Sequence, residues 1–430
     1  MKGLRKTIPA LLSAVSLLIF ATGVAAAGRL LTLDEAVTLA LTRNQEIVKA
    51  REYGKSAQGR YIEERAAALP QVGFESELAH GRDETLSMYG ASPEQERRRV
   101  GLNLTQPIYT WGKVDAAVRG AEQGLLTAGD RLRQAGQKTR LDVTTAFHDV
   151  ILAKELHNLA VRNLSQKNRR LDEAERKLAA GIVTDYDVLA ARVAMENSRP
   201  ETIRAENQIR INQDRLRFLL SLDEEVDAAG QLQPLITPTP TFDAALALAV
   251  NKRPELADLR HRIGMFEEIA TIAKTGLKPR LDFKASAGWQ DLGEADGTVW
   301  NAGLLFSWPL FDGRRTDGKV AQAESDVRGL QADERKLLDA IALETREAVN
   351  AVREAEEILQ ALAGTVTQAE RLFSMAETGF ALGVKIRLEV EDAELNLLQA
   401  KSNLAKAQRD YLVARTKLAW ATGTLEDEKK

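Results

Sequence analysis

The stretch Thr32-Leu33-Asp34-Glu35-Ala36-Val37-Thr38-Leu39-Ala40 returns as Thr241-Phe242-Asp243-Ala244-Ala245-Leu246-Ala247-Leu248-Ala249, at an offset of 209 residues. Pro70 answers to Pro279 at the same offset. Pro107 and Pro309, Gly181 and Gly383, and Leu216 and Leu418 then agree at 202, so the second copy is seven residues shorter between its strands. A unit of about 200 residues is far longer than the roughly 20–50 residues of a solenoid repeat. The chain is therefore two tandem copies of one whole module, which a symmetric assembly can use as near-equivalent staves. The copies occupy 28–222 and 241–425, joined by a linker at 223–240 that is acidic and then proline-rich, and followed by a charged tail at 426–430.

Residues 1–27 carry Lys2, Arg5 and Lys6, an apolar run from Leu11 to Val24, and Ala25-Ala26-Ala27 as an A-x-A cleavage signal. This predicts a secretory leader with Gly28 as the first mature residue. No later segment approaches the 18 or so apolar residues of a membrane helix, so any membrane span must be made of strands. The absence of cysteine excludes disulfides, thiolate metal sites and cysteine nucleophiles. Net charge is −3, and the leader holds three cations and no acids, so the mature chain stands at −6, which is no nucleic-acid footprint. Scarce glycine and proline beside abundant alanine, leucine, glutamate and arginine predict a mainly helical protein.

From about Val114 to Leu178 the pattern is heptad: Val143, Ala146, Val150, Ala153, His157, Ala160, Leu164, Lys167, Leu171, Ala174 and Leu178 alternate steps of three and four. Only His157 and Lys167 interrupt the stripe. The same positions 202 residues later, Thr345 to Phe380, are apolar at all but the first. Heptad spacing of this length predicts supercoiled helices packed knobs into holes. Each long helix ends at a glycine, Gly181 or Gly383, placed where a helix stop needs positive φ. A second helix then returns from about Asp185 to Leu220 or from Leu388 to Thr422. The predicted hairpins span 113–222 and 315–422. Pro200 predicts a kink or local break in the first return helix.

Ahead of each hairpin lie segments of period two. Val72, Phe74 and Leu78 alternate with Gln71, Glu75 and Glu77, and Leu281, Phe283, Ala285, Ala287 and Trp289 alternate with polar residues. Val100, Leu102 and Leu104, and Trp300, Ala302, Leu304, Phe306 and Trp308, mark their partners. The predicted strands are about 70–80, 98–108, 279–290 and 298–310, with charged loops at 81–97 and 291–298. One apolar face, one charged face and tryptophans near the ends at Trp289, Trp300 and Trp308 suit a membrane barrel with an aromatic girdle. Four strands cannot close on themselves, and an open edge in lipid leaves peptide groups unpaired, so such a barrel needs several chains.

Four histidines, His80, His148, His157 and His261, show no H-x-x-x-H or H-E-x-x-H spacing, and no glycine-rich phosphate loop follows any strand. The sequence thus offers no catalytic, cofactor or metal site. A periplasmic coiled-coil adaptor or scaffold is the remaining alternative. It needs only one hairpin and small soluble β domains, whereas this chain has two hairpins, each behind a lipid-compatible strand pair.

The duplication, Gln106-Pro107-Ile108-Tyr109 and Trp308-Pro309-Leu310-Phe311, the run Gly181-Ile182-Val183-Thr184-Asp185-Tyr186-Asp187-Val188-Leu189-Ala190-Ala191, and the helix ends Arg215 to Leu220 and Lys417 to Leu425 give a specific likeness. The chain resembles the TolC-like outer-membrane efflux and secretion channels of Gram-negative bacteria over nearly its whole mature length. The resemblance implies a homotrimer whose four strands per chain form a twelve-stranded β-barrel in outer-membrane lipid, continued by a periplasmic α-helical barrel. It further implies a passive exit duct, with no cofactor, served by a periplasmic adaptor and an inner-membrane transporter and gated at the helical tips. Carried over by position, Glu389 and Asp392 are the pore-facing acidic rings, and Lys385 and Asp187 the gate latch, near Tyr186. Where the family often has a tyrosine in this latch the chain has Phe380, which lacks the hydroxyl.

Overall fold

The computed structural model describes residues 29–90, 93–293 and 295–425, so the predicted leader and charged tail lie outside the described residues. The quoted repeat becomes the first helix of each copy, α1 (Leu33–Arg43) and α5 (Phe242–Lys252). Thr32 closes α1 with a reciprocal box: its backbone N–H donates to Glu35 Oε2 at 2.8 Å, and its hydroxyl accepts from the Glu35 N–H at 3.4 Å. The Thr241 hydroxyl accepts from Ala244 in the same way. Helices α2 (Gln45–Ala66) and α6 (Pro254–Lys274) follow.

The long passes are α3 (Lys113–Ala179), which at 1.5 Å per residue reaches about 100 Å, and its return α4 (Asp185–Leu220). The heptad stripe falls on the packed side. Of its eleven positions in α3 none is exposed, and in the second copy only Phe380 is. Lys167 and His157 are half-buried within it.

Helix continuity differs from expectation in both copies. The local break that Pro200 allowed for does not occur: α4 runs without interruption through the proline, which is on an exposed turn where water can bond the carbonyl it leaves unpaired. The break falls in the second copy instead, where the long pass divides into α7 (Arg315–Leu362) and α8 (Thr365–Ala381) at Ala363-Gly364. Glycine's backbone freedom makes that turn the cheapest place to stop. The return is α9 (Arg387–Ala421). Both hairpin turns end in a left-handed glycine, Gly181 at φ 69° and Gly383 at φ 74°. In each, the next amide donates back five residues, Ile182 to Lys177 O at 2.9 Å and Val384 to Gly379 O at 2.8 Å, so the last carbonyls are satisfied.

The linker adds a parallel ribbon, β1 (Arg29–Leu31) against β4 (Val226–Ala228). Leu31, Val226, Ala228 and Leu232 join Val143, Val150, Leu216 and Leu220 in one core. Tyr411 of α9 straps the rest, its hydroxyl accepting from the Thr237 N–H at 3.2 Å.

The four long strands are β2 (Gln71–Arg82), β3 (Glu94–Tyr109), β5 (Arg280–Asp291) and β6 (Asp296–Ser307). They form one antiparallel sheet in the order β2-β3-β5-β6. The hairpin ladders reach further into the predicted loops than apolar alternation indicates: Ala79, His80, Gly81 and Arg82 still pair with Arg97, Glu96, Gln95 and Glu94. Charged side chains there mask a backbone that is regular. Conversely β6 stops at Ser307, ahead of Trp308 and Pro309.

Candidate channel wall and gate

Register decides what each face of the sheet carries. Row by row, Phe74, Leu102, Ala287 and Trp300 stand side by side, as do Val72, Leu104, Ala285 and Ala302. The opposite face holds Glu75, Glu77, Arg97, Arg99, Asn103, Lys284, Ser286 and Asn301. On the apolar face Val72, Phe74, Leu78, Trp300 and Leu304 are all more than half exposed, so none of the described residues covers it. The apolar run from Leu281 to Trp289 spans about 27 Å along the strand, comparable to the hydrocarbon-facing band of about 25 Å in outer-membrane barrels.

Every strand glycine, at 73, 81, 101, 288, 297 and 303, falls on the polar face. Side chains on the inner side of a curling sheet converge, and glycine relieves that crowding. The closest approach of backbone to backbone is at the facing pair Gly101 and Gly288, where a Cβ on Gly288 would meet Val100 O at 2.3 Å. Across the polar face Asn103 Nδ2 donates to Glu75 at 3.0 Å.

Trp289 and Trp300 lie toward the loop end of the sheet, whereas Trp308 sits at the helical end, its Nε1 donating to Leu277 O at 3.2 Å. Three aromatics that strand periodicity missed join Trp308 there: Tyr109, Trp111 and Phe311, all substantially exposed, with Tyr109 and Trp111 edge to face at 5.0 Å. They lie just outside the alternating runs, which is why period two passed over them. The two ends of the sheet are thus each marked by amphipathic rings.

At the far end of the hairpins the predicted gate residues gather around two helix N-termini. Asp187 Oδ2 accepts from the Thr184 N–H at 3.0 Å and its hydroxyl at 2.7 Å, which holds its carboxyl below the usual range, with Arg387 adding a charge attraction. Glu389 occupies the repeat-equivalent position. It pairs with Lys385 and accepts from the Ile386 N–H at 3.0 Å, and these two contacts, the lysine first, depress its pKa as well. The two acids thus share one role, closing a return helix at its third residue.

Within the chain, then, Lys385 and Asp187 are not brought together. Lys385 is held by Glu389, and the cation that acts on Asp187 is Arg387, itself 3.2 Å from Glu391. Sequence reasoning did not single out Arg387. Asp392 lies one turn beyond Glu389 and is exposed, and Tyr186 projects with 79% exposure. Ile182, Leu382, Val384 and Ile386 leave the tips strongly apolar around these charges.

The two hairpins meet chiefly through α3 and α9. There Asp149 takes the Arg409 guanidinium through Nε at 2.8 Å and Nη2 at 2.5 Å. Nearer the sheet, Arg119 grips Glu268 through two bonds of 2.8 Å, tying α3 to α6. Such bidentate pairs fix geometry as well as supplying energy. Among the described residues no helix is long and apolar enough to cross a membrane.

A sheet with one lipid-compatible face, set on long coiled hairpins, is the make-up of a membrane channel protein. A family profile described as outer membrane efflux protein matches residues 36–221 and 245–424, and the chain belongs to that family. Its two matched segments coincide with the internal copies. The alkaline protease secretion protein AprF of Pseudomonas aeruginosa is 26% identical over 337 residues, covering 76% of this chain and 69% of that protein. The outer membrane protein TolC of Escherichia coli is 24% identical over 406 residues, covering 90% and 80%. In fold, the chain matches the Campylobacter jejuni CmeC outer membrane channel with a TM-score of 0.81 at 17% identity, over 91% of this chain and 86% of that one.

Proposed function

We propose that three copies of this chain close a twelve-stranded barrel in the outer membrane of a Gram-negative cell and extend a helical tube into the periplasm. The tube is a passive exit duct that receives cargo from a periplasmic adaptor and an inner-membrane transporter. The observation that carries this reading is the open sheet: β2 and β6 each pair on one side only, and the face between them is apolar and bare. An unpaired edge in hydrocarbon costs several kcal/mol per peptide group, and β6 of one copy meeting β2 of the next removes it. A soluble adaptor would have no use for this bare face. At the tips, Glu389 and Asp392 of three chains would form acidic rings favouring cations. Asp187, Tyr186, Lys385 and Arg387 would supply exposed polar links, screened by solvent and weak enough for a docked adaptor to break. The test is the mass of the detergent-extracted protein together with its conductance in planar bilayers. A three-chain particle that conducts is expected; a monodisperse single chain, or a trimer with no pore, refutes the reading.

A further inference from the structure

Helix α2 ends and α3 begins at the helical end of the sheet, and a cleft of about 450 Å³ opens between them. It is lined by Arg65 of α2, by Leu69 just past that helix, and by Val114, Asp115, Val118 and Arg119 of α3. Its size is within the roughly 300–1,000 Å³ of small-ligand sites. Among the described residues the Asp115 carboxylate has neither a hydrogen bond nor an ion pair, and the Arg65 guanidinium has only the Tyr61 ring, 5.6 Å away. Arg119 does not cap Asp115, because its Nε and Nη2 are both taken by Glu268. One cleft thus presents an uncommitted cation and an uncommitted anion between apolar walls.

The second copy treats the same place differently. Lys274, the counterpart of Arg65, pairs with Glu324 at 3.0 Å, and Asp317, the counterpart of Asp115, pairs with Arg314 at 3.3 Å. Thr316 replaces Val114 and is buried against Gly276, the counterpart of Ala67, where an added Cβ would stand 2.3 Å from its hydroxyl. The module's backbone plan therefore does not by itself leave these charges open. The depth of the cleft follows from the aromatic girdle. Tyr109 and Trp111, both exposed, stand just ahead of α3, and Val114 to Arg119 make up its first two turns, about 10 Å along the axis. The headgroup layer on each side of the hydrocarbon is about 5–8 Å thick. The cleft is thus at headgroup depth, where the helices leave the sheet.

We propose that this cleft seats the headgroup of a phosphoethanolamine lipid of the periplasmic leaflet, with Arg65 donating to the phosphate and Asp115 accepting from the ammonium. The inference rests on the reading of the sheet as a barrel wall in the outer membrane. The guanidinium fork matches two phosphate oxygens, and a carboxylate facing a primary ammonium forms a charge-assisted hydrogen bond. Asp115 also sets what is refused. A purely anionic headgroup brings a second negative charge beside it, and a quaternary ammonium has no N–H to donate. Leu69, Val114 and Val118 give the glycerol and first acyl carbons an apolar wall. Because only the first copy carries the open pair, each chain holds one such lipid.

The experiment takes the detergent-extracted assembly, delipidates it, and resupplies synthetic phosphatidylethanolamine, phosphatidylglycerol or phosphatidylcholine with matched acyl chains. Bound lipid is read by native mass spectrometry. Phosphatidylethanolamine is expected to be held about tenfold more tightly than either of the others, at one site per chain, and Arg65→Gln to weaken it about tenfold, the scale of one charge-assisted hydrogen bond. Asp115→Asn should weaken phosphatidylethanolamine and strengthen phosphatidylglycerol, a reversal that a collapsed cleft cannot produce. Lys274→Gln, at the second-copy position, should change neither. Equal retention of the three lipids by the parent, or an Asp115→Asn variant that keeps the parent's preference, overturns the site while a conducting assembly leaves the channel reading standing. A parent protein that forms no pore sinks both.

Discussion

Replacing Gly288 by alanine tests whether the sheet curls toward its polar face. A Cβ there would lie 2.3 Å from Val100 O, 2.7 Å from Gly101 Cα and 3.1 Å from the Val100 carbonyl carbon. All three are backbone atoms of β3, so no side chain can rotate away. The strand must retreat by more than an ångström to reach an ordinary contact of about 3.5 Å. Overpacking of this kind costs about 1–3 kcal/mol. Gly303 is the control, on the same face with nothing within 4 Å of its would-be Cβ. Alanine there should gain about 0.4–1 kcal/mol by restricting the unfolded chain. The two variants should thus differ by about 1.5–4 kcal/mol per chain, or roughly 2–5 °C in midpoint for a chain of this length. Gly101→Ala, whose Cβ would meet Ala287 O at 3.0 Å, should fall between them. The assay is the temperature at which the detergent-extracted assembly dissociates on semi-native gels. Equal midpoints for Gly288→Ala and Gly303→Ala, or the reverse order, would refute the curvature argument.

Arg387→Glu should raise low-voltage conductance as much as Lys385→Glu or more, because Arg387 is the cation that acts on Asp187; a silent Arg387→Glu beside a leaky Lys385→Glu would return the latch to the lysine. Glu389→Ala with Asp392→Ala should weaken block by multivalent cations, and equal block removes the rings. Glu389 has its pKa lowered by Lys385 and the Ile386 amide, so its charge, and any tip stability it lends, is lost only as pH falls below the ordinary carboxylate range. Block in the parent channel should therefore be flat between pH 8 and about pH 5. His148 behaves oppositely to a paired histidine: burial holds it neutral, with its pKa below 6.5, so the unfolded chain binds the extra proton first and stability drains away as pH falls below that value. His148→Leu should flatten the slope of thermal stability between about pH 7 and 5, and an unchanged slope places the titration elsewhere.

Much of this architecture is written in one-dimensional pattern. The repeat predicts two hairpins and four strands, the heptads mark the packed stripe nearly residue by residue, and Gly181 and Gly383 mark turns, because periodicity and backbone freedom are local properties. Local reasoning fails where a local penalty has a cheap remedy. Pro200 passes through α4 on a wetted turn, while an unremarkable Ala363-Gly364 divides the second pass. At the gate, the residues carried over by position lie at the hairpin tips, and within the chain Lys385, in the turn before α9, pairs with Glu389 of the first turn of that helix. Chain pattern also could not say that β3 would pair with β5, which joins the copies into one sheet and stacks the glycines of four strands on one face. Nor could it say why a lysine interrupts the seam at 167, since its anion lies 227 positions further along the chain, at Glu394. The sequence alone therefore determined which segments are helix and strand and which side of each is apolar. Tertiary structure decided the strand order, the ion-pair partners and the joints, because these depend on contacts between residues far apart in the chain, whose meeting is governed by packing and charge in three dimensions.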